Sequence, residues 1–375
     1  MNERLNFTVE YLEPVEIEPE PLPDGFSSSR LKRSALILAA ITLAIVAAIV
    51  LLPGLSSLRS RFEGAQPEWL AVAAVLQLGS CAGYVLVFRG VFCRRMSWRT
   101  STEIGLSELA ANSVFSIGGA GGLALGAWIL RRGGLPAAYI ARRTVAFFLL
   151  TSLANVGFLA LGGLALATGV LSGAPERAYG LVPAVVAQAG IALALAARAL
   201  ADVPGRRLKR ERLGAAARTS AEGVGEALAL LRTADPAIVL GAAAYLLFDV
   251  AMLGVCFAAF GNDVPPVGVL LVAYIVGQLG SLIPIPGGIG GVDAGLIGTL
   301  ALYGVDPTDA AVAVIAYRGL LLAIPAVLGL PALAVLRRRL RNEAHDIAAC
   351  APGESVAVLG RGVVRRAKPV VRPAG

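Results

Sequence analysis

Pro284-Ile285-Pro286-Gly287-Gly288-Ile289-Gly290-Gly291-Val292-Asp293-Ala294 interrupts an otherwise apolar stretch that runs from 267 to 303. Pro284 and Pro286 remove two backbone donors and push the residues before them out of the helical region. The glycines that follow permit tight turns and close backbone approach. In a bilayer, backbone broken in this way survives only where it is buried in protein or lines a wet cavity. A helix restarting near Gly291 would point its positive end and its free N–H groups into that place, which favours an anion such as a lipid phosphate. Asp293, in the first turn, would alternatively cap those N–H groups itself.

The rest of the chain supports a bilayer setting. Of 375 residues 57% are apolar and only 15% charged, where soluble chains carry about 25% charged residues. Apolar blocks near bilayer length recur at 34–53, 69–88, 144–169, 181–198, 236–258 and 312–336. Each is long enough to cross roughly 30 Å of hydrocarbon at about 1.5 Å per residue. The net charge of +8 arises from basic residues at the ends of these blocks; positive-inside topology explains them without nucleic acid. The four cysteines show neither CxxC nor disulfide spacing.

Charge also sorts the joints. With a cytoplasmic N-terminus, the inside joints hold twenty-three Lys and Arg and the outside joints only Arg59, Arg61 and Arg177. Both termini are therefore expected inside, in an inner (plasma) membrane. Residues 1–29, with seven acidic residues, read as a disordered tail. The membrane domain spans 30–341, in halves of about 30–198 and 236–341 joined by a basic cytoplasmic linker at 199–235. Residues 342–375 form a second, basic tail, read as unstructured.

Two apolar segments, 102–130 and 267–303, return to the side they start from. The first lies between two basic joints and the second between acidic ones, Asp263 before it and Asp306 and Asp309 after it. Each reads as a re-entrant hairpin. Their breaks match: Gly118-Gly119-Ala120-Gly121-Gly122 precedes Gly126 as Gly287-Gly288-Ile289-Gly290-Gly291 precedes Gly295, and both comparisons give an offset of 169 residues. One hairpin enters from inside and the other from outside, the arrangement of an inverted repeat. The expected fold is thus an all-α polytopic bundle of about six full spans plus two broken hairpins.

Tyr245-Leu-Leu-Phe-Asp249, Ala259-Phe-Gly261, the run from Gly277 to Gly291, Asp293-Ala294, Gly304-Val305 and Tyr317-Arg318 together resemble the flippase-like, lysylphosphatidylglycerol synthase transmembrane family. The likeness is strongest over 236–336 and weaker over 69–160. Two departures stand out. The glutamate that follows the family's glycine run is Asp293 here, and the first half lacks the family's proline and acid near its glycines, with no acid between Gly118 and Trp128. The resemblance implies a membrane fold and a role in handling or translocating lipids.

Ionisable residues inside such a bundle mark function or pair with one another. Asp249 sits mid-span, and Asp293 and Arg318 carry opposite charges on neighbouring elements, so an Asp293–Arg318 or Asp249–Arg318 pair is expected. Two roles stand open for it: a lock between the second hairpin and the last span, or a site where Arg318 meets an anionic head group. Asn112, Asn155 and Gln278 read as helix–helix hydrogen-bonding residues. Glu103 and Glu108 fall near the inner face, within reach of solvent. The single histidine, His345, lies beyond the membrane core, and no Walker A, GxSxG or HExxH run is present. The chain is therefore read as non-enzymatic, without metal or cofactor. The function expected is to bind or translocate a phospholipid or lipid-linked precursor. Candidate residues are Asp249, Pro284, Pro286, Gly287, Gly288, Gly290, Asp293 and Arg318, with Gly118, Gly119, Gly121 and Gly122 in the first half. The alternative is a non-transporting subunit that anchors a lipid-biosynthetic enzyme as its partner.

Overall fold

The computed structural model describes residues 56–114, 120–173, 175–201, 211–233, 235–282, 290–348, 350, 355–359 and 363–367. The expected span at 34–53 lies outside these residues, as do the candidate residues Gly118, Gly119, Pro284, Pro286, Gly287 and Gly288.

The described helices are α1 (Ser56–Glu63), α2 (Pro67–Phe92), α3 (Trp98–Val114), α4 (Ala120–Arg132), α5 (Ala137–Ala167), α6 (Arg177–Ala201), α7 (Glu211–Arg232), α8 (Pro236–Ala259), α9 (Val267–Gln278), α10 (Gly291–Leu302) and α11 (Pro307–Ala348). A 3₁₀ turn, Leu279–Leu282, extends α9. Four helices are long and apolar enough to cross a membrane: α2, α5, α8 and the part of α11 from Pro307 to Arg339. The expected span at 181–198 falls within α6, a 25-residue helix with Pro183 inside it. α9 and α10 are apolar but short. Beyond α11, strands β1 (Ser355–Leu359) and β2 (Val363–Ala367) pair antiparallel, a hairpin in a tail whose sequence suggested no structure.

Helix ends follow local chemistry. Pro67 and Pro236 occupy the first helical position of α2 and α8, where a missing N–H costs nothing. Asp235 caps α8 by accepting from Ala237 N at 2.9 Å. Side chains such as Val75, Leu161, Leu240 and Val327 are more than half exposed; in a bundle of this kind these are the surfaces that lipid tails cover. Trp98 stands at the basic end of α3, with the Arg89 guanidinium 4.4 Å over its ring.

The bundle has two faces. On the basic face, Arg94 pairs with Asp235, the Tyr139 hydroxyl donates to the Phe92 carbonyl at 2.7 Å, and Arg143 meets Glu226 of α7 at 2.9 Å. The basic linker thus includes a helix docked on α5. The end of α11 also folds onto this face: Asp346 accepts from Ser97 N and from the Thr100 hydroxyl at 3.1 and 2.8 Å, and buried Ile347 packs at Gly133. A Cys93–Cys350 disulfide closes the same corner across 257 residues, a pairing that cysteine spacing gave no sign of. On the opposite face, Gln66 N donates to the Ala259 carbonyl at 2.7 Å, Arg61 meets Asp309 at 3.2 Å, and the Tyr303 hydroxyl donates to the Tyr179 carbonyl at 2.6 Å.

These contacts place the hairpins. The start of α3 and the end of α4 both lie on the basic face, against the end of α11. The start of α9 packs at Gly173 and the end of α10 at Tyr179, both on the opposite face. α2 and α8 run side by side through the centre, with Gly83 and Gly241 at their closest approach: a Cβ on either would fall 2.9 Å from the other's carbonyl oxygen. α11 packs along α3, with Gly329 against Leu106 and Ala110.

Candidate functional site

The second break brings Asp293 and Arg318 together. Asp293 is in the first turn of α10, and its Oδ2 accepts from the Gly290 N–H at 2.8 Å. Gly290 itself has φ 88°, a left-handed conformation that glycine adopts without steric cost. The other oxygen, Oδ1, lies 2.9 Å from Arg318 Nε. That contact is an ion pair whose geometry falls short of a hydrogen bond. Asp293 therefore does both things its sequence position suggested, capping the restarted helix and pairing with the last span.

The pair lies deep in the bundle. Arg318 is eleven residues into α11, about 16 Å along a helix that rises 1.5 Å per residue. The side chains are 10% and 23% exposed for Arg318 and Asp293, so the pair is enclosed but still reachable. The pairs Arg61–Asp309, Arg94–Asp235, Arg99–Glu103, Arg142–Glu222 and Arg143–Glu226, by contrast, sit on one face or the other. Counting charge, Asp293 and Arg318 cancel, which leaves the positive end of α10 as the local excess.

Asp249 does not join Arg318, contrary to one of the two expected pairings. The Tyr274 hydroxyl of α9 donates to its Oδ2 at 2.9 Å, and the Ser80 hydroxyl of α2 stands within reach of the carboxylate. Asp249 is 1% exposed and sits in the middle of α8. α10 instead presents Asp293 to Arg318, while the neighbouring Tyr317 is the α11 side chain that is buried within electrostatic reach of Asp249.

The first hairpin holds an acid that sequence reading misplaced. Glu108 was expected in reach of solvent, yet it is 1% exposed. Its Oε2 accepts from the Tyr84 hydroxyl of α2 at 2.8 Å, and its other oxygen occupies the space where a Cβ on Gly126 would sit. α3 starts on the basic face but dives inward, so ten residues carry Glu108 to mid-depth. Glu103, by contrast, stays near the face and pairs with Arg99 at 3.1 Å. Asn112 acts as expected: its Oδ1 accepts from the Gly122 N–H at 2.7 Å, closing α3 onto α4. Gly121 and Gly122 thus open a packed helix, and α4 begins at Ala120.

The signal for Glu108 was present in the numbering. Glu108 and Gly277 are 169 residues apart, as are Gly126 and Gly295. In the second hairpin those two glycines make the matching contact: a Cβ on Gly295 would lie 3.1 Å from Gly277 Cα. The same crossing carries a carboxylate in one hairpin and bare backbone in the other.

No curated protein matches the chain. The model of the lysylphosphatidylglycerol synthase TM region matches residues 37–329, most of the chain and the whole of both hairpins. The chain therefore belongs to the lysylphosphatidylglycerol synthase transmembrane-region family.

Proposed function

We propose that this chain carries a phospholipid or lipid-linked precursor between membrane leaflets, with the Asp293–Arg318 pair as the point where the head group crosses. One observation supports this above the others. The pair lies away from both faces, it sits at the broken start of α10, and it is partly exposed. An arriving phosphate would take Arg318 from Asp293 and gain the N-terminal end of α10, an exchange of one anion for another. Asp293, released, would still hold the Gly290 N–H.

The two halves support a mechanism by rocking. Pro67 and Pro236 begin α2 and α8, Trp98 and Val267 begin α3 and α9, and each pair is 169 residues apart. With hairpins entering from opposite faces, we read the halves as an inverted repeat that exposes the central site to each side in turn. The basic face is read as cytoplasmic, the membrane as the inner one and the action as non-enzymatic, in keeping with the charge of the joints and the lack of a catalytic motif.

Liposomes containing the purified chain and a fluorescent phospholipid test this reading. The wild type is expected to equilibrate the label between leaflets. Asp293→Asn with Arg318→Gln should keep thermal stability close to wild type and stop lipid movement, because a neutral amide does not replace a charged fork at a phosphate. Wild-type liposomes no faster than empty ones would overturn the reading, as would a double variant that restores both stability and movement.

A further inference from the structure

Asp249 stands at the centre of a second group of polar side chains that the head-group pair leaves unused. Tyr274 satisfies one of its oxygens; the other, Oδ1, is buried with no formed hydrogen bond, and the Ser80 hydroxyl beside the carboxylate is turned to the Tyr245 carbonyl. Two further buried oxygens lack partners on the flanking helices, Gln77 Oε1 of α2 and the Tyr317 hydroxyl of α11, on residues 2% and 0% exposed. The Gln77 amide nitrogen is turned to Cys81 Sγ at 3.8 Å, and the Ser80 hydroxyl donates to the Tyr245 carbonyl at 3.2 Å. The Asp249 charge is felt by Cys81, Tyr245, Tyr274 and Tyr317. Four helices thus place polar side chains around one carboxylate.

Buried polar atoms normally find partners, and each orphan costs free energy. Three orphaned oxygens near one negative charge call for something that is positive or donates. The shell is apolar: Leu246, Val250 and Leu253 of α8, with Leu159 and Phe158 of α5, pack in the same core. A lipid head group does not fit a group enclosed to 1% exposure. A divalent ion would leave an unbalanced charge in an apolar interior, and no cluster of three His, Cys, Asp or Glu exists among the described residues to hold one. A single positive charge balances the single carboxylate.

We infer that Asp249, Gln77 and Tyr317 form a buried site for a compact monovalent cation, H⁺ or Na⁺, separate from the Asp293–Arg318 pair. The charged and titratable groups around it are Cys81 from α2, Tyr245 and Cys256 from α8, Tyr274 from α9, and Tyr317 with Arg318 behind it from α11; α5 contributes apolar side chains. The Tyr245 ring packs edge-on against Tyr84 at 5.6 Å, and Tyr84 donates to Glu108. The two buried acids are thus separated by two tyrosines whose rings touch edge-on, and Tyr245 lies within electrostatic reach of Asp249. Intramembrane acids in such settings mark ion and proton pathways.

Cation binding is read without lipid movement, so it stands or falls apart from the proposed function. The purified full chain in detergent is melted in NaCl against choline chloride at constant ionic strength, then across pH in sodium-free choline buffer. A Tm that climbs with each tenfold rise in Na⁺, and is flat in Asp249→Asn, assigns Na⁺. A Tm insensitive to Na⁺ whose pH profile loses one step in Asp249→Asn assigns a proton. Tyr317→Phe removes only a hydroxyl and should displace the midpoint of whichever curve responds, which keeps the test decisive if Asp249→Asn does not fold. Parallel Na⁺ and pH curves for the wild type and the folded variants overturn the inference and leave buried water as the occupant.

Discussion

The two hairpins share a crossing and differ in what they put there. In the first, Glu108 of α3 lies against Gly126 of α4 and is held by a tyrosine, with no cation in its described contacts. In the second, the positions 169 residues further on are Gly277 and Gly295, and the acid, Asp293, is on the other arm, against an arginine. One hairpin closes over a carboxyl that is enclosed; the other presents a charged pair that is partly open. Close approach of two short helices is thus the shared architectural element, and the placement of charge is where the two hairpins differ.

The largest effect should come from the charge. Asp293→Asn takes the Asp293 counter-charge away from Arg318 deep in the bundle, and removing one partner of a buried pair costs about 3–5 kcal/mol. Glu108→Gln strands no charge, because the amide oxygen still accepts from Tyr84; its buried amide N–H groups are expected to cost about 1–2 kcal/mol. Thermal unfolding in detergent compares them directly. Equal losses in the two variants would break the contrast and mean that Glu108 is held as a charge by a cation.

A middle-sized effect tests the shared crossing. Gly126→Ala drives a methyl into the Glu108 carboxyl, which is enclosed and has little room to swing, so overpacking of about 1–3 kcal/mol is expected. Glu108→Ala in the same chain should relieve that strain, giving a double variant more stable than the sum of the singles. Gly295→Ala meets Gly277 Cα at 3.1 Å, a contact that a shift of a few tenths of an ångström relieves, so its loss should be smaller. A Gly295→Ala variant less stable than Gly126→Ala would reverse the order of tightness.

The legible part of this molecule is the part written in short range. Long apolar runs, basic joints and glycine-proline breaks mark the helices and the turning points, and opposite charges on neighbouring elements narrowed the partner of Arg318 to Asp293 or Asp249, of which the fold selects Asp293. Glu108 was misread because its neighbours in sequence, Arg99 and Glu103, belong to the basic face; only the steep entry of α3 shows that one turn more takes the chain out of water. Tyr84, Gln77 and Tyr274 were passed over because polar residues in apolar spans look like packing until a carboxylate from another helix is set beside them. The Cys93–Cys350 link joins residues 257 positions apart, and no local pattern records which chain ends a fold brings together.

The smallest effect concerns how the base of each hairpin is held. Asp346 accepts from Ser97 and Thr100 at the start of α3; Asp306 accepts from the N–H groups of Thr308 and Asp309 at 2.8 and 3.2 Å, where α11 starts just past α10. Both carboxyls are held below the ordinary aspartate range. For Asp346 partial burial opposes the shift, and the hydrogen bonds from Ser97 and Thr100 outweigh it; for Asp306 the backbone N–H groups of Asp309 and Thr308 are the main cause. A carboxyl whose folded value is depressed contributes stability that is fully present above its unfolded value, near 4 for aspartate, and that is lost as pH falls through the folded value. Asp346→Asn should therefore cost about 1 kcal/mol at neutral pH and flatten part of the acid limb of a Tm-against-pH curve. Because Asp346 ties α11 to the first hairpin while Asp306 only starts α11, amide exchange in 98–104 should rise in Asp346→Asn and stay unchanged in Asp306→Asn. Unchanged exchange in both variants would show that Ile347 and the Cys93–Cys350 link hold the first hairpin's base without Asp346.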